Sequence, residues 1–349
     1  MNTENRKIEV LLVEDSPVVQ LLLKHVINAD PRLHVMGTAN DGEAAVQFLS
    51  HDKPDIVLMD VQMPKMDGFD ATRKIMETEP LPIIICSATM HREEVNTTFR
   101  ALEAGAVAFV DKPVGLGHTG FDAMAKELTD SIKLMSEVKV VKRWAKPQRG
   151  EAVSAAEKPS VPVKLIAIGA STGGPPVIQT ILAALPKNLP VPVLIVQHIA
   201  AGFLPGMVEW LKQTTGLPVE MARHGEEALP GHVYLAPDGQ QMGIAAGNRI
   251  QLGSEPPENG LRPAVSYLFR SVANTCGANA VGVLLTGMGC DGAAELKLMK
   301  DKGAVTIAQD AESSIVHGMP GEAIRLGGAT HVLPPPRIAA TLATLVNNR

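Results

Sequence analysis

From Lys7 to about Val138, short apolar runs (IEVLLV, LHVMGTA, PDIVLM, LPIIICSA and AVAFV) alternate with longer stretches whose apolar residues recur at helical spacing. Strands alternating with helices predict a parallel sheet covered on both faces. Between about Trp144 and Val163 the periodicity vanishes and Pro, Lys, Glu and Ser accumulate, the pattern of a linker. A second alternation starts at Lys164 with KLIAIGA, a glycine turn and the helical run VIQTILAAL. VPVLIVQ, GHVYLAP, RIQLG, AVGVLLTG, AVTIAQ and ATHVLP follow. The stretch GHVYLAPDGQQMGIAAGNRIQLG has paired β runs around turn residues, which predicts a hairpin inserted into a mixed sheet. The expected organisation is an α/β domain at 1–140, a flexible linker at 141–162 and a second, doubly wound α/β domain at 163–349.

Composition narrows the function. The 349 residues suffice for two domains of roughly 100 to 200 residues each. With a net charge of −5 the polyelectrolyte attraction to nucleic acid is weak, and 3% aromatic residues leave few rings on which bases stack. The amino terminus, MNTENRKIEVLLVED, lacks the zones of a signal peptide. No apolar run approaches the ~18 residues of a membrane span. Cys86, Cys276 and Cys290 are few and odd in number, and Cys86 lies inside a strand-like run, as suits reduced thiols. The expectation is a cytoplasmic protein without nucleic-acid partner or membrane insertion.

In the first domain Glu14-Asp15, Asp60 and Lys112 each fall just past an expected strand end, where the binding crevice of an open α/β sheet forms. Crowded carboxylates favour a hard divalent cation. Mg²⁺ takes one or two of them plus phosphate oxygens, with Asp15 and Asp60 as candidate ligands. Lys112 and the Ser87 hydroxyl are placed to hold the other oxygens of a phosphoryl group. For Asp15 alone a plain helix start, Asp15-Ser16-Pro17, explains the residues about as well.

VEDSP, DVQMPKMDG, CSAT and FVDKP, in that order, resemble the receiver domain of two-component response regulators. The resemblance implies a flavodoxin-like five-stranded parallel sheet. It makes Asp60 the phosphoacceptor, Glu14 and Asp15 the acidic pair, and the Gln62 backbone carbonyl a further metal ligand. Ser87, Phe109 and Lys112 fall on the switch and phosphate-contact positions. Phe109 stands where many receivers have tyrosine, keeping the ring without its hydroxyl.

In the second domain KLIAIGASTGGPP puts Ser171 after a strand and before a helix, in a glycine-rich turn whose nearby helix N–H groups suit an oxyanion. A lone serine there is more often an N-cap. A dinucleotide loop fits poorly: GASTGG is not G-x-G-x-x-G, and no acidic residue occurs between Gly174 and Glu209. VPVLIVQHIAAGF brings His198 to the next strand end, and VGVLLTGMGCDGA brings Asp291 just beyond another. Nucleophilic attack by serine, proton transfer by histidine and orientation by aspartate are then geometrically feasible.

GASTGGP, QH followed by AGF, LRPAVSYLF, LLTGMGCDGA, QDAESSIVHGMP and VLP resemble the protein-glutamate methylesterases of bacterial chemotaxis, the CheB family, over nearly the whole second domain. The resemblance implies nucleophile, base and orienting acid at Ser171, His198 and Asp291, the backbone N–H of Met288 as oxyanion donor, and Thr172 lining that site. It implies a phosphorylation-activated esterase that demethylates chemoreceptors and also deamidates glutamine. A chemotaxis histidine kinase is the phosphodonor, Mg²⁺ serves the receiver, and the esterase step needs no cofactor. Ile199-Ala200 replaces a usual Met-Pro, Gln241 a common histidine and Ser266 a common aspartate, while Cys290 stands where a small or amide residue is usual.

Two rivals remain at this point: a receptor-binding scaffold without turnover, and a receiver-controlled transcription regulator. The latter needs a basic recognition helix that the acidic, strand-rich second half does not offer. The family resemblance further implies that the receiver restrains the esterase until Asp60 is phosphorylated, by docking over the strand ends that carry Ser171 and His198.

Overall fold

The computed structural model describes residues 6–87, 104–138 except 114, 116 and 119, and 161–346 except 200 and 201. The chain separates into two compact units, residues 1–149 and 150–349. The expected linker lies almost wholly outside the described residues.

In the first unit the five apolar runs form β1 (Ile8–Val13), β2 (Leu33–Ala39), β3 (Ile56–Met59), β4 (Ile83–Ser87) and β5 (Ala108–Asp111). All are parallel, in the order β2-β1-β3-β4-β5. The described helices are α1 (Pro17–Ala29), α2 (Gly42–Leu49), α3 (Gly68–Thr78) and α4 (Phe121–Ser136). α1 packs with α4 and α2 with α3. The central strand β3 is buried throughout, as a continuous apolar run requires when both faces are covered. Strand order reverses between β1 and β3, so a topological switch point opens between the carboxyl ends of those two strands. Glu14-Asp15 and Asp60 emerge there.

The second unit has β6 (Leu165–Ala170), β7 (Val193–Gln197), β8 (Val219–Met221), β9 (Val233–Leu235), β12 (Ala280–Leu284), β13 (Val305–Gln309) and β14 (His331–Leu333) in the order β14-β13-β12-β6-β7-β9-β8. Every pairing is parallel, so the expectation of a mixed sheet is corrected. The hairpin is real: β10 (Gln241–Ala245) pairs antiparallel with β11 (Arg249–Gly253). It forms its own two-stranded sheet instead of entering the large one. It is held at the backbone of Ile244, whose N–H donates to Ser271 Oγ and whose carbonyl accepts from it.

The helices are α5 (Gly174–Ala184), α6 (Leu204–Thr215), α7 (Val265–Thr275), α8 (Ala293–Asp301), α9 (Met319–Arg325) and α10 (Pro335–Val346). α5 packs with α6 and α10, whereas α7 packs with α8 and the hairpin. Strand alternation sorts the core. Leu165, Ala167, Leu194 and Val196 share one cluster with Val265, Leu268 and Phe269 of α7. The switch point lies at β6: the chain leaves it towards β7 and returns on its other side as β12. Ser171 follows β6 directly. Among the described residues no helix is long and apolar enough to cross a membrane.

Candidate functional site

Register fixes the first two members of the second site. Ala170 and Gln197 are partners across β6 and β7, so the residues that follow them, Ser171 and His198, leave the sheet side by side. The Ser171 N–H donates to the Thr286 carbonyl at 3.0 Å, and the His198 N–H to the Ala170 carbonyl at 3.0 Å. The alternation that buries Leu194 and Val196 beneath α7 sends His198 to the same side. Asp291 comes from the loop after β12, and its Oδ2 lies 3.0 Å from His198 Nε2. The two are thus at ion-pair distance without meeting strict hydrogen-bond geometry.

Asp291 is only 3% exposed, yet its charge is well accommodated. Its Oδ2 accepts the Val265 N–H at 2.7 Å and its Oδ1 the Ser266 N–H at 3.0 Å, both in the first turn of α7. Burial pushes its pKa up. Contacts from His198, the Ser266 hydroxyl and the two backbone N–H groups outweigh this and leave the carboxyl below its ordinary 3.8. Ser266 also accepts the Gly292 N–H at 2.9 Å, closing a ring around the carboxylate. Gln241 is fully buried and accepts the Ala264 N–H at 2.8 Å, the peptide just before that nest.

The turn carrying Ser171 is buttressed by the QDAESSIVHGMP segment. Thr286 Oγ1 donates towards the carbonyls of Thr172 (2.9 Å) and Val316 (3.1 Å), and Gln309 Oε1 accepts the Thr286 N–H at 2.8 Å. Gly318 and Met319 donate their N–H groups to the Gly287 carbonyl. A Cβ added at Gly287 would lie 2.8 Å from Ser171 Cβ and strike the Met319 sulfur, so only glycine fits there. Met288 follows and is 55% exposed. Cys290 is exposed and free. A second histidine enters this neighbourhood unforeseen: His317 bridges to Gly287, and burial holds its pKa below 6.5. Its signal in the sequence was only its place inside a long motif.

The sequence reading missed Gln197. This buried side chain, at the end of β7, donates its amide N–H groups to the carbonyls of Ser171 (2.8 Å) and His198 (2.7 Å). A glutamine ending an apolar strand was the available signal.

In the first unit Lys112 Nζ lies 2.7 Å from Glu14 Oε2 and 2.8 Å from Asp60 Oδ1. Carboxylate oxygens of Glu14, Asp15 and Asp60 all lie within 4.8 Å of one another; Glu14 and Asp60 are buried and Asp15 is exposed. Burial raises the Glu14 pKa, with the neighbouring Asp60 charge adding to it and Lys112 opposing it. Burial lowers that of Lys112, but its hydrogen bonds to Asp60 and Glu14 prevail and leave it raised. Asp60 Oδ1 also accepts the Val61 N–H at 2.8 Å. Ser87, at the end of β4, accepts the Lys112 N–H through its carbonyl at 2.7 Å. Phe109 lies on β5 against the apolar core, and Gln62 is exposed just beyond Asp60. Ser16 precedes α1 without capping it through its side chain, so a capping role leaves the Glu14-Asp15 pair unexplained.

These two units define a class: a parallel α/β unit with an acidic, lysine-bridged pocket at its switch point, joined to a larger α/β unit in which a serine and a histidine follow neighbouring strand ends and an aspartate lies against that histidine. Comparison with known proteins is specific. The family described as CheB methylesterase matches residues 166–342, and the response regulator receiver domain matches residues 10–119. A protein-glutamate methylesterase/protein-glutamine glutaminase of Nitrosospira multiformis is 52% identical over 347 residues, covering 98% of each chain. One from Geobacter metallireducens is 53% identical over 344 residues, covering 97% of this chain and 99% of its own. The crystal structure of the Thermotoga maritima CheB methylesterase catalytic domain is 39% identical with a TM-score of 0.52, covering 53% of this chain and all of that one. The chain belongs to the CheB methylesterase family, with a response-regulator receiver domain ahead of the methylesterase domain.

Proposed function

We propose that this protein is a receiver-controlled protein-glutamate methylesterase and protein-glutamine deamidase acting on bacterial chemoreceptors. The observation that carries the reading is the 3.0 Å approach of His198 Nε2 to Asp291 Oδ2, beside a serine set in register with that histidine. Because Nε2 faces the carboxylate, Nδ1 is the ring nitrogen left to take the Ser171 proton. Ser171 Oγ attacks the γ-carbonyl of a receptor glutamate methyl ester as His198 accepts that proton. Collapse of the tetrahedral species returns the proton to the leaving oxygen and releases methanol. Water, deprotonated by the same histidine, then frees the glutamate and restores Ser171. With glutamine as substrate, ammonia leaves in place of methanol. The Met288 N–H and the loop around Thr172 supply oxyanion stabilisation, which suits a turn held rigid by Thr286, Gln309 and Gly287.

In the receiver, Asp60 accepts the phosphoryl group from a chemotaxis histidine kinase. Glu14, Asp15 and Asp60, with the Gln62 carbonyl, would hold Mg²⁺, and three carboxylates this close suit a hard dication. Bound there, Mg²⁺ would supply charge neutralisation for an incoming phosphate. Lys112, already in contact with Asp60, holds a phosphoryl oxygen, and Ser87 and Phe109 report the modification to the surface. Phosphorylation then releases or activates the esterase. The test is methanol release from methylated receptor membranes by the wild-type chain and by Ser171→Ala. Release by the first alone supports the reading, and equal release by both refutes it.

A further inference from the structure

We infer that Gln197 is a positioning residue for hydrolysis: its buried carboxamide ties the backbone of the nucleophile to the backbone of the base. The inference rests on the esterase reading of Ser171 and His198. It names a residue that touches neither substrate nor reacting atoms but sets the distance between two that do.

The geometry leaves this amide little else to do. Gln197 and Ala170 are register partners, and the chain turns out of the sheet immediately after each of them. Past that point the ladder no longer holds the two strands together, apart from the His198 N–H on the Ala170 carbonyl. The two N–H groups of Gln197 span the gap, one on the Ser171 carbonyl and one on the His198 carbonyl. The amide orientation follows from these partners, because a flipped amide would place its oxygen against two carbonyl oxygens. Strand alternation puts this clamp on the side opposite the reacting groups, towards α5. There it meets Gly174, where any Cβ would collide with Oε1.

That oxygen is buried and has no hydrogen-bond partner among the described residues. A buried acceptor left unpaired costs stability, so packing alone would be better served by an apolar side chain of similar length. The amide's retained benefit is its two donors. The Ser171 carbonyl has a second donor in the Gly174 N–H at 2.8 Å, so loss of Gln197 frees the His198 peptide more than the Ser171 turn. The predicted consequence is a base that wanders relative to its nucleophile, a fault in kcat rather than in substrate affinity.

The experiment uses the full chain with Gln197→Met and Gln197→Glu, both close in length and both without amide donors. Thr306→Val serves as a control for lost stability, removing a buried hydroxyl bonded to Gly328 and Thr330 at the opposite end of β13. Methanol release from methylated receptors gives kcat and KM. The labelling rate of Ser171 by a fluorophosphonate reports the nucleophile without the receptor. Each Gln197 variant is expected to lose about 10²-fold in kcat and in labelling rate, with KM within about twofold of wild type. Thr306→Val, at a comparable drop in melting temperature, is expected to keep both rates. Labelling by the Gln197→Met protein within about threefold of wild type, or a loss matched by Thr306→Val, overturns the inference. A wild-type chain that labels at Ser171 but releases no methanol refutes the esterase reading instead, and the labelling comparison still decides the part played by Gln197.

Discussion

Asp291 presents its Oδ2 to His198 Nε2 at 3.0 Å while accepting the Val265 N–H on the same oxygen at 2.7 Å. The proposed orienting acid is thus seated at the amino terminus of α7, where helix N–H groups stabilise its charge independently of the histidine. Replacing it by asparagine keeps the shape and loses the charge. Asp291→Asn is expected to lower turnover by about 10⁴. Ser171→Ala and His198→Ala should each approach the roughly 10⁶ loss seen where triad members act as a unit. Steady-state methanol release checks all three, and a Ser171→Ala enzyme within tenfold of wild type would direct attention to Cys290.

The same seat predicts a pH dependence of stability. The folded-state pKa of Asp291 lies below 3.8, so its unfolded form binds protons first as the solution is acidified. Its stabilising contribution is therefore fully present above that ordinary value and is lost as pH falls through the lowered folded-state value. Denaturant midpoints of wild type and Asp291→Asn should differ by a constant amount near neutrality and converge in acid. A gap that widens in acid would contradict the sign.

Gly287 presses against Ser171, and the collision of an added methyl is with both Ser171 Cβ and the Met319 sulfur. Gly287→Ala is expected to cost about 1 to 3 kcal/mol of stability through overpacking. By displacing the nucleophile it should also lower kcat by about 10²-fold. Calorimetry and turnover on one preparation measure both, and a variant that melts earlier at unchanged kcat would separate packing from alignment.

For the receiver, phosphorylation of Asp60 by a small-molecule phosphodonor should require Mg²⁺, since an anion entering beside Glu14, Asp15 and Asp60 meets like charge. Asp60→Asn should take no label. Full labelling in excess chelator would show that the acidic pocket has been misassigned.

Control of the esterase by that label is a further expectation. Adding a phosphodonor to the full chain should raise turnover by roughly 5- to 150-fold, the span of ordinary coupling energies. The Asp60→Asn chain should stay at its basal rate under the same conditions. Equal stimulation of both proteins would mean that the donor acts elsewhere.

How much of this was readable beforehand follows from what each signal depends on. Apolar runs between helical stretches determined the central strands of both sheets, because a strand buried on both faces must be apolar along its whole length, whereas the short edge strand β8, with one buried residue, carried no such run. Placement of Glu14, Asp60, Ser171 and His198 at strand ends was equally local, requiring only the end of an apolar run. The parallel character of the second sheet was not local. The hairpin's alternation is the same whether it pairs with itself or with the large sheet, and only packing against α7 decided the former. Asp291 was legible as a residue after β12, but its seat on the N–H groups of Val265 and Ser266 joins segments far apart in the chain, and no periodicity encodes it. The roles of Gln197, Gln241 and Gln309 were hidden for a related reason, although Gln241 stood out as replacing a common histidine. A glutamine carries no charge and no reactivity that marks it in a sequence, and its worth lies in which carbonyls and N–H groups the folded chain brings within 3 Å of its amide. The sequence by itself determined the elements and the chemical groups at their ends; the tertiary structure decided which of those groups meet, because hydrogen bonds between distant loops exist only once the sheet has set its register.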